Sequence, residues 1–221
     1  MNTAVNLIGT RWWRRPIRAM ALIGTIAALA QPALAEEPTI LLYGDSLLAG
    51  LGLSADEGFM GQLQAAMEDQ GLEANVVNAS VSGDTTADGL ARLDWTLGDP
   101  PDAVILGLGA NDMLQGLPPA EVRSNLDAII TRLEALGMPV LLLGMMANRG
   151  LGGDYVKAFD AIYPDLAREH GALLYPFLLE GVALDPALNQ PDLRHPNAEG
   201  VAVIVAGVMP LVEELVQRLD P

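Results

Sequence analysis

The sequence predicts an α/β domain of three layers, a parallel sheet covered by helices on both sides. Three observations carry this. From residue 39 onward, short apolar β-type runs alternate with longer stretches of helical periodicity. The runs are almost uniformly apolar, as expected of strands covered on both faces. Glycines stand where helices end and strands begin. Strict βαβα alternation implies crossover connections and therefore a parallel sheet.

Residues 39–43, 75–78, 103–108, 140–145 and 172–175 read as the strands. Helix-like segments lie between them near residues 58–70, 86–97, 120–136 and 155–170, and a last one near 198–219 closes the chain. Gly71, Gly137 and Gly171 occupy the left-handed position that terminates helices. Pro118-Pro119 opens the third helix, where a missing N–H costs nothing. No linker, repeat or low-complexity stretch interrupts residues 36–221, so they read as a single domain.

The first 35 residues stand outside that pattern. Arg11, Arg14, Arg15 and Arg18 precede an uncharged apolar run from residue 19 to 30, and Ala33-Leu34-Ala35 supplies a small-x-small cleavage pattern. A transmembrane anchor needs roughly 20 apolar residues, more than this run provides. A cleavable export signal is expected, with the protein periplasmic or secreted and no membrane anchor after cleavage. Arg14-Arg15 leaves the choice of export route open. Removing the leader leaves 186 residues with 8 basic and 28 acidic side chains. A field near −20 repels nucleic acid and anionic surfaces. The chain has no cysteine, which removes disulfides, thiolate catalysis and zinc–thiolate sites. With two histidines, His170 and His195, a multi-histidine metal site is excluded as well. No metal or organic cofactor is called for. The sequence does not set the oligomeric state; a monomer is the default expectation.

In doubly wound sheets, ligands bind beyond the carboxyl ends of the strands. The first strand runs into Gly44-Asp45-Ser46, where a following helical turn would aim N–H groups at the serine. The same tripeptide also suits an ordinary turn. The second ends in Asn78-Ala79-Ser80-Val81-Ser82-Gly83-Asp84-Thr85, where Gly83 either exposes a backbone N–H or simply precedes a capped helix. The third ends in Gly107-Leu108-Gly109-Ala110-Asn111-Asp112. Asn111 can donate to a developing oxyanion or accommodate a left-handed loop. A dinucleotide fingerprint fails here, because its sixth position is Asp112. Asp192-Leu193-Arg194-His195 places a carboxylate three residues from an imidazole, the spacing for Asp192 to orient His195 as a base. His170 precedes Gly171 at a helix end and reads as a structural cap. Each segment has a bland explanation alone. Together they supply a nucleophile, a base, an orienter and three oxyanion donors at one end of one sheet.

These blocks resemble the SGNH (GDSL) hydrolases over nearly the whole mature chain. Gly44-Asp45-Ser46-Leu47, Gly83, Gly109-Ala110-Asn111-Asp112 and Asp192-Leu193-Arg194-His195-Pro196 correspond to the four family blocks. The stretch from Val77 through Gly83 to Thr86, with Gly89-Leu90-Ala91-Arg92-Leu93, is most like the periplasmic thioesterase, lysophospholipase and arylesterase subgroup. So is Ala158-Phe159-Asp160-Ala161-Ile162-Tyr163-Pro164. The resemblance implies a flavodoxin-like sheet in the order 2-1-3-4-5 and a Ser46–His195–Asp192 triad. It also implies an oxyanion hole built from the Ser46 and Gly83 N–H groups and the Asn111 amide. Ala110 departs from the thioesterase member, which carries glycine there, and predicts reduced backbone freedom beside Asn111. Gly-x-Ser-x-Gly is absent, which argues against a standard α/β-hydrolase.

The expected reaction is hydrolysis of a small-molecule acyl or aryl ester through an acyl-enzyme on Ser46. Met113, Leu114 and Leu117 after the third strand, and Met145, Met146 and Leu151 after the fourth, are candidates for an apolar groove. The same residues serve equally well as core. A carbohydrate acetylesterase of the same fold and a non-catalytic binding protein are the alternatives.

Overall fold

Five parallel strands form where the apolar runs lie: β1 (Thr39–Gly44), β2 (Asn75–Asn78), β3 (Ala103–Gly107), β4 (Val140–Leu143) and β5 (Leu173–Tyr175). They pair in the order β2-β1-β3-β4-β5. The computed structural model describes residues 1–2 and 37–219. The predicted leader, residues 1–35, therefore lies outside the described residues except for its first two.

Side chains alternate across the sheet with the two-residue period of a strand, and each face has its own core. Ile40, Leu42, Ala103, Ile105, Leu141 and Leu143 point to one side. There they meet Leu48 of α1 (Ser46–Ala49), the buried stripe of α2 (Phe59–Asp69) and, across the sheet, the C-terminal helix. Leu41, Tyr43, Val104, Leu106, Val140 and Leu142 point to the other side. They are covered by α3 (Thr86–Thr96) and α5 (Pro119–Glu134), with the short α4 (Ala110–Gln115) between them in sequence. Beyond β4 come α6 (Gly153–Asp160) and α7 (Ile162–His170) on the same face, and α8 (Ala198–Gln217) ends the chain on the opposite one. Gly71, Gly137 and Gly171 all adopt the left-handed conformation expected of helix ends.

Three expectations change. The helix expected over residues 155–170 is two helices that meet at Ala161. Pro164 is the cause: it has no N–H for the Asp160 carbonyl, and its ring crowds that oxygen. The second strand is not covered on both faces. Val76 packs against the α2 layer, but Val77 on the other face of this edge strand is 47 % exposed. His170 is structural as expected, but its partners are two carboxylates rather than helix carbonyls. Its Nδ1 lies 2.9 Å from Glu134 Oε2 and its Nε2 lies 2.8 Å from Asp127 Oδ1, so the ring bolts α7 to α5. Burial works against the charged ring, but the Glu134 and Asp127 hydrogen bonds outweigh it and raise the pKa.

Candidate active site

β1, an interior strand of the sheet, ends at Gly44, and the chain turns at once into a helix. Asp45 is the N-cap of α1, accepting the Leu47 N–H at 3.0 Å. It is 1 % exposed, and burial pushes its carboxyl up to about 6 against the pull of that N–H. Ser46, the first helical residue, is therefore held by a buried cap on one side and the sheet on the other.

The histidine arrives from the long loop after β5. Ser46 Oγ lies 2.9 Å from His195 Nε2, and His195 Nδ1 lies 2.6 Å from Asp192 Oδ2. The other Asp192 oxygen accepts the backbone N–H groups of Arg194 and His195 at 2.9 and 3.0 Å. The ring contact with His195, followed by these two N–H groups, holds the Asp192 carboxyl well below the usual carboxylate range. Asp192 therefore stays a carboxylate down to acidic pH, and its contact with Nδ1 fixes which ring nitrogen faces the serine.

Three residues that follow three different strands, Ser46, Gly83 and Asn111, line the same cavity and carry N–H donors. The N–H of Ser46, at the start of α1, and that of Gly83 have no acceptor among the described residues. Gly83 has φ 95°, and a Cβ there would meet nothing within 4 Å. Glycine is required by the backbone conformation rather than by space. Asn111 Nδ2 donates to the Asp84 carbonyl at 2.9 Å and lies 3.4 Å from Asp45 Oδ2. One amide hydrogen is thus firmly held, and the other meets its neighbour at a distance too long to bind it well. Ala110 leaves Asn111 unstrained: the left-handed step falls on Gly109 (φ 115°), and Ala110 is already helical. The buried Asp112 supports the same corner, accepting the N–H and hydroxyl of Thr86 at 2.9 and 2.6 Å.

Ser46, Gly83, Asn111 and His195 all line one cavity of about 600 Å³. Met113, Leu114 and Met145 form part of its wall. Leu117, Met146 and Leu151 do not. Leu117 gives its carbonyl to the Tyr155 hydroxyl, Met146 turns its sulfur towards Arg149, and Leu151 sits on an exposed 3₁₀ turn. Their place is taken by Leu47, Leu51, Leu179, Leu184 and Leu193.

Residues 42–203 match the GDSL-like lipase/acylhydrolase family. The chain belongs to this family. Esterase TesA of Pseudomonas aeruginosa is 38 % identical over 200 residues, 90 % of this chain and all of that protein. Thioesterase 1/protease 1/lysophospholipase L1 of Escherichia coli K12 is 35 % identical over 207 residues, 93 % of this chain and 95 % of that one. The psychrotrophic esterase EstA from Pseudoalteromonas superposes with a TM-score of 0.77 at 30 % identity, covering 82 % of this chain and 100 % of the other. Like these relatives, this GDSL-like acylhydrolase is a carboxylic ester hydrolase, built on the parallel sheet of order 2-1-3-4-5.

Two supports of the acylhydrolase site were not anticipated from sequence. Arg92 of α3 donates to Asp84 at 2.6 Å, to the Ala79 carbonyl at 2.7 Å and to the Gly44 carbonyl at 3.3 Å. Its guanidinium also stacks 4.1 Å above the Tyr43 ring, so it joins the ends of β1 and β2 to the Gly83 loop. Gln190, in the loop before Asp192, is the second. Long side chains on helices and loops carry no periodic signal for such partners.

Proposed function

We propose that Ser46, His195 and Asp192 are the nucleophile, the base and the residue that orients it, and that hydrolysis runs through an acyl-enzyme. The observation that carries this is the continuous chain of contacts from Ser46 Oγ through His195 to Asp192, opening onto an apolar cavity. Ser46 Oγ attacks the acyl carbon while His195 Nε2 takes its proton. The anionic tetrahedral intermediate is held by the Ser46 and Gly83 N–H groups and by the Asn111 amide, whose second hydrogen exchanges its long 3.4 Å contact with Asp45 for the oxyanion. The imidazolium then protonates the leaving alcohol, and water, activated by the same ring, releases the acid. Each residue returns to its starting state, and no step calls for a metal or cofactor.

The wall of Met113, Leu114, Met145, Leu179 and Leu184 suits an aliphatic acyl or aryl group. An acetylated sugar would be served better by polar walls. Thioesters and lysophospholipids are within the same reading, given the name of the Escherichia coli relative. Export through cleavage after Ala35 is supported by the leader pattern and by Glu36–Pro221 forming one compact unit of its own. No helix among the described residues is long and apolar enough to cross a membrane.

The test is hydrolysis of p-nitrophenyl esters from acetyl to palmitoyl, with Ser46→Ala in parallel and a fluorophosphonate as covalent label. Cleavage and labelling that both vanish in the variant support the nucleophile. A strong preference for acetyl would move the reading to the acetylesterase, and a folded protein that neither cleaves nor labels would overturn it.

A further inference from the structure

Among the described residues, two that are not glycine adopt positive φ: Leu184 (63°) and Leu193 (56°). Left-handed backbone is strained for a side chain such as leucine and free of strain for glycine. Both residues line the cavity that holds Ser46. Leu193 is the more informative, because it lies inside the turn that joins Asp192 to His195. That turn needs a left-handed residue: with it, one Asp192 oxygen reaches the N–H groups of Arg194 and His195 while the other meets the imidazole. The turn needs nothing from the side chain at that position. Its N–H bonds to the Gln190 carbonyl at 2.9 Å, as a glycine's would. The residue is 43 % exposed and absent from both cores, so burial does not account for its side chain either. What remains is its place on the cavity wall, two residues from the base.

We infer that Leu193 is a specificity-determining residue, whose side chain packs against the apolar chain of the bound ester. This rests on the proposed esterase reading and adds to it the element that selects for chain length. The apolar chain can belong to the acyl group or to the alcohol, and the contact is the same in chemistry: methylene against isobutyl, excluding water beside the reacting carbonyl. Because the backbone at this position suits glycine better than leucine, the contribution to selectivity separates from the contribution to folding.

The experiment compares wild type with Leu193→Gly and Leu193→Asn, two residues that tolerate the left-handed turn. Rates are measured for p-nitrophenyl esters of rising acyl length and for acetates of rising alcohol length. Both variants are expected to keep wild-type melting temperature or exceed it, and the effect is read as kcat/KM on each longer ester relative to that on the shortest. On the longer members of one series, kcat/KM is expected to fall about 10-fold. The series that responds identifies the acyl or the alcohol side as the one Leu193 touches. An unchanged length profile in both series overturns the inference while leaving the esterase reading intact. An equal fall on every ester also overturns it, since that would place Leu193 in support of the triad rather than against substrate. Wild type inactive on both series overturns the inference together with the reading beneath it.

Discussion

The side-chain amide of Gln190 donates to the Leu51 carbonyl at 2.8 Å, bridging 139 residues of sequence. The same nitrogen donates to the Pro196 carbonyl at 3.0 Å, and the Gln190 backbone N–H donates to the His195 carbonyl at 2.8 Å. Leu51 follows the helical turn of Ser46, and Pro196 follows His195. One amide thus joins the segment carrying the nucleophile to the segment carrying the base, and the 2.9 Å contact between Ser46 and His195 lies between these anchors.

Gln190→Ala removes both side-chain bonds without touching the cavity's reacting groups. Small displacements of a catalytic pair are costly, up to about 10²-fold for a misplacement near 1 Å. The expected result is a fall in kcat of about 10- to 100-fold, with KM for a small ester little changed and the fold retained. Steady-state kinetics beside circular dichroism checks it. A kcat within two-fold of wild type would show that the geometry is set elsewhere.

Arg92 gives a second case in which one side chain holds several strand ends. Its side chain is 19 % exposed and that of Asp84 is 12 % exposed, so neither charge is well solvated once the other is removed. Arg92→Ala is expected to cost about 2 kcal/mol of stability, the scale for leaving a buried polar group unpaired. It is also expected to lower kcat through the loosened Gly83 loop. Arg92→Lys keeps the charge but not the planar fork, and should recover less than half of either loss. Urea unfolding and ester kinetics on both variants decide it; full rescue by lysine would mean that charge alone matters.

The sheet, and the proposed triad residues that the structure brings into contact, were legible because their signals are local. A uniformly apolar run marks a covered strand, Ser46 and Asn111 stand out soon after such runs, and His195 stands out as one of two histidines, three residues after a carboxylate. The cavity wall was legible only in part. Sequence shows that Met113, Leu114, Leu117, Met145, Met146 and Leu151 are apolar loop residues, but not which way each side chain turns. Leu117 and Met146 turn away towards Tyr155 and Arg149. Leu179, Leu184 and Leu193 come from a stretch without regular structure, where no period predicts a face. Gln190 and Arg92 were invisible for a related reason: several of their partners are backbone carbonyls, which every residue carries.

His170 supplies a pH-dependent clamp far from the chemistry. Its folded-state pKa is raised above the ordinary histidine value of 6.5. The charged ring between Asp127 and Glu134 therefore stabilises the fold fully below that ordinary value, and the contribution is lost as pH rises through the higher folded pKa. His170→Gln should lower the melting temperature more at pH 5.5 than at pH 9. Thermal melts of both proteins at the two pH values test this, and an equal loss at both would contradict it.

Asn111 is the single side chain among the proposed oxyanion donors. Its firm bond to the Asp84 carbonyl fixes the amide, and the second hydrogen has only the long 3.4 Å contact with Asp45 to give up. Asn111→Ala is expected to lower kcat by about 10²–10³ with little change in KM, as for a donor engaged chiefly in the transition state. A loss under five-fold would remove Asn111 from that role.

Asp45 makes the sharpest pH prediction, because its carboxyl is buried beside the nucleophile. Burial raises its pKa from 3.8 to about 6, against the Leu47 N–H and His195 and with the help of Asp112 and Asp84. The folded state thus favours the neutral acid. Its contribution to stability is complete below the unfolded value near pH 4 and is lost as pH rises through about 6. Across that window the ionising carboxyl withdraws up to roughly 3 kcal/mol. Asp45→Asn keeps an oxygen for the Leu47 N–H and cannot ionise, while every other titratable group is common to both proteins. The melting temperature of the variant relative to wild type should therefore climb by about 5 °C between pH 4.5 and pH 8. A difference that stays flat across this range would mean that Asp45 ionises in the fold as freely as in water, and that its burial beside Ser46 carries no electrostatic cost.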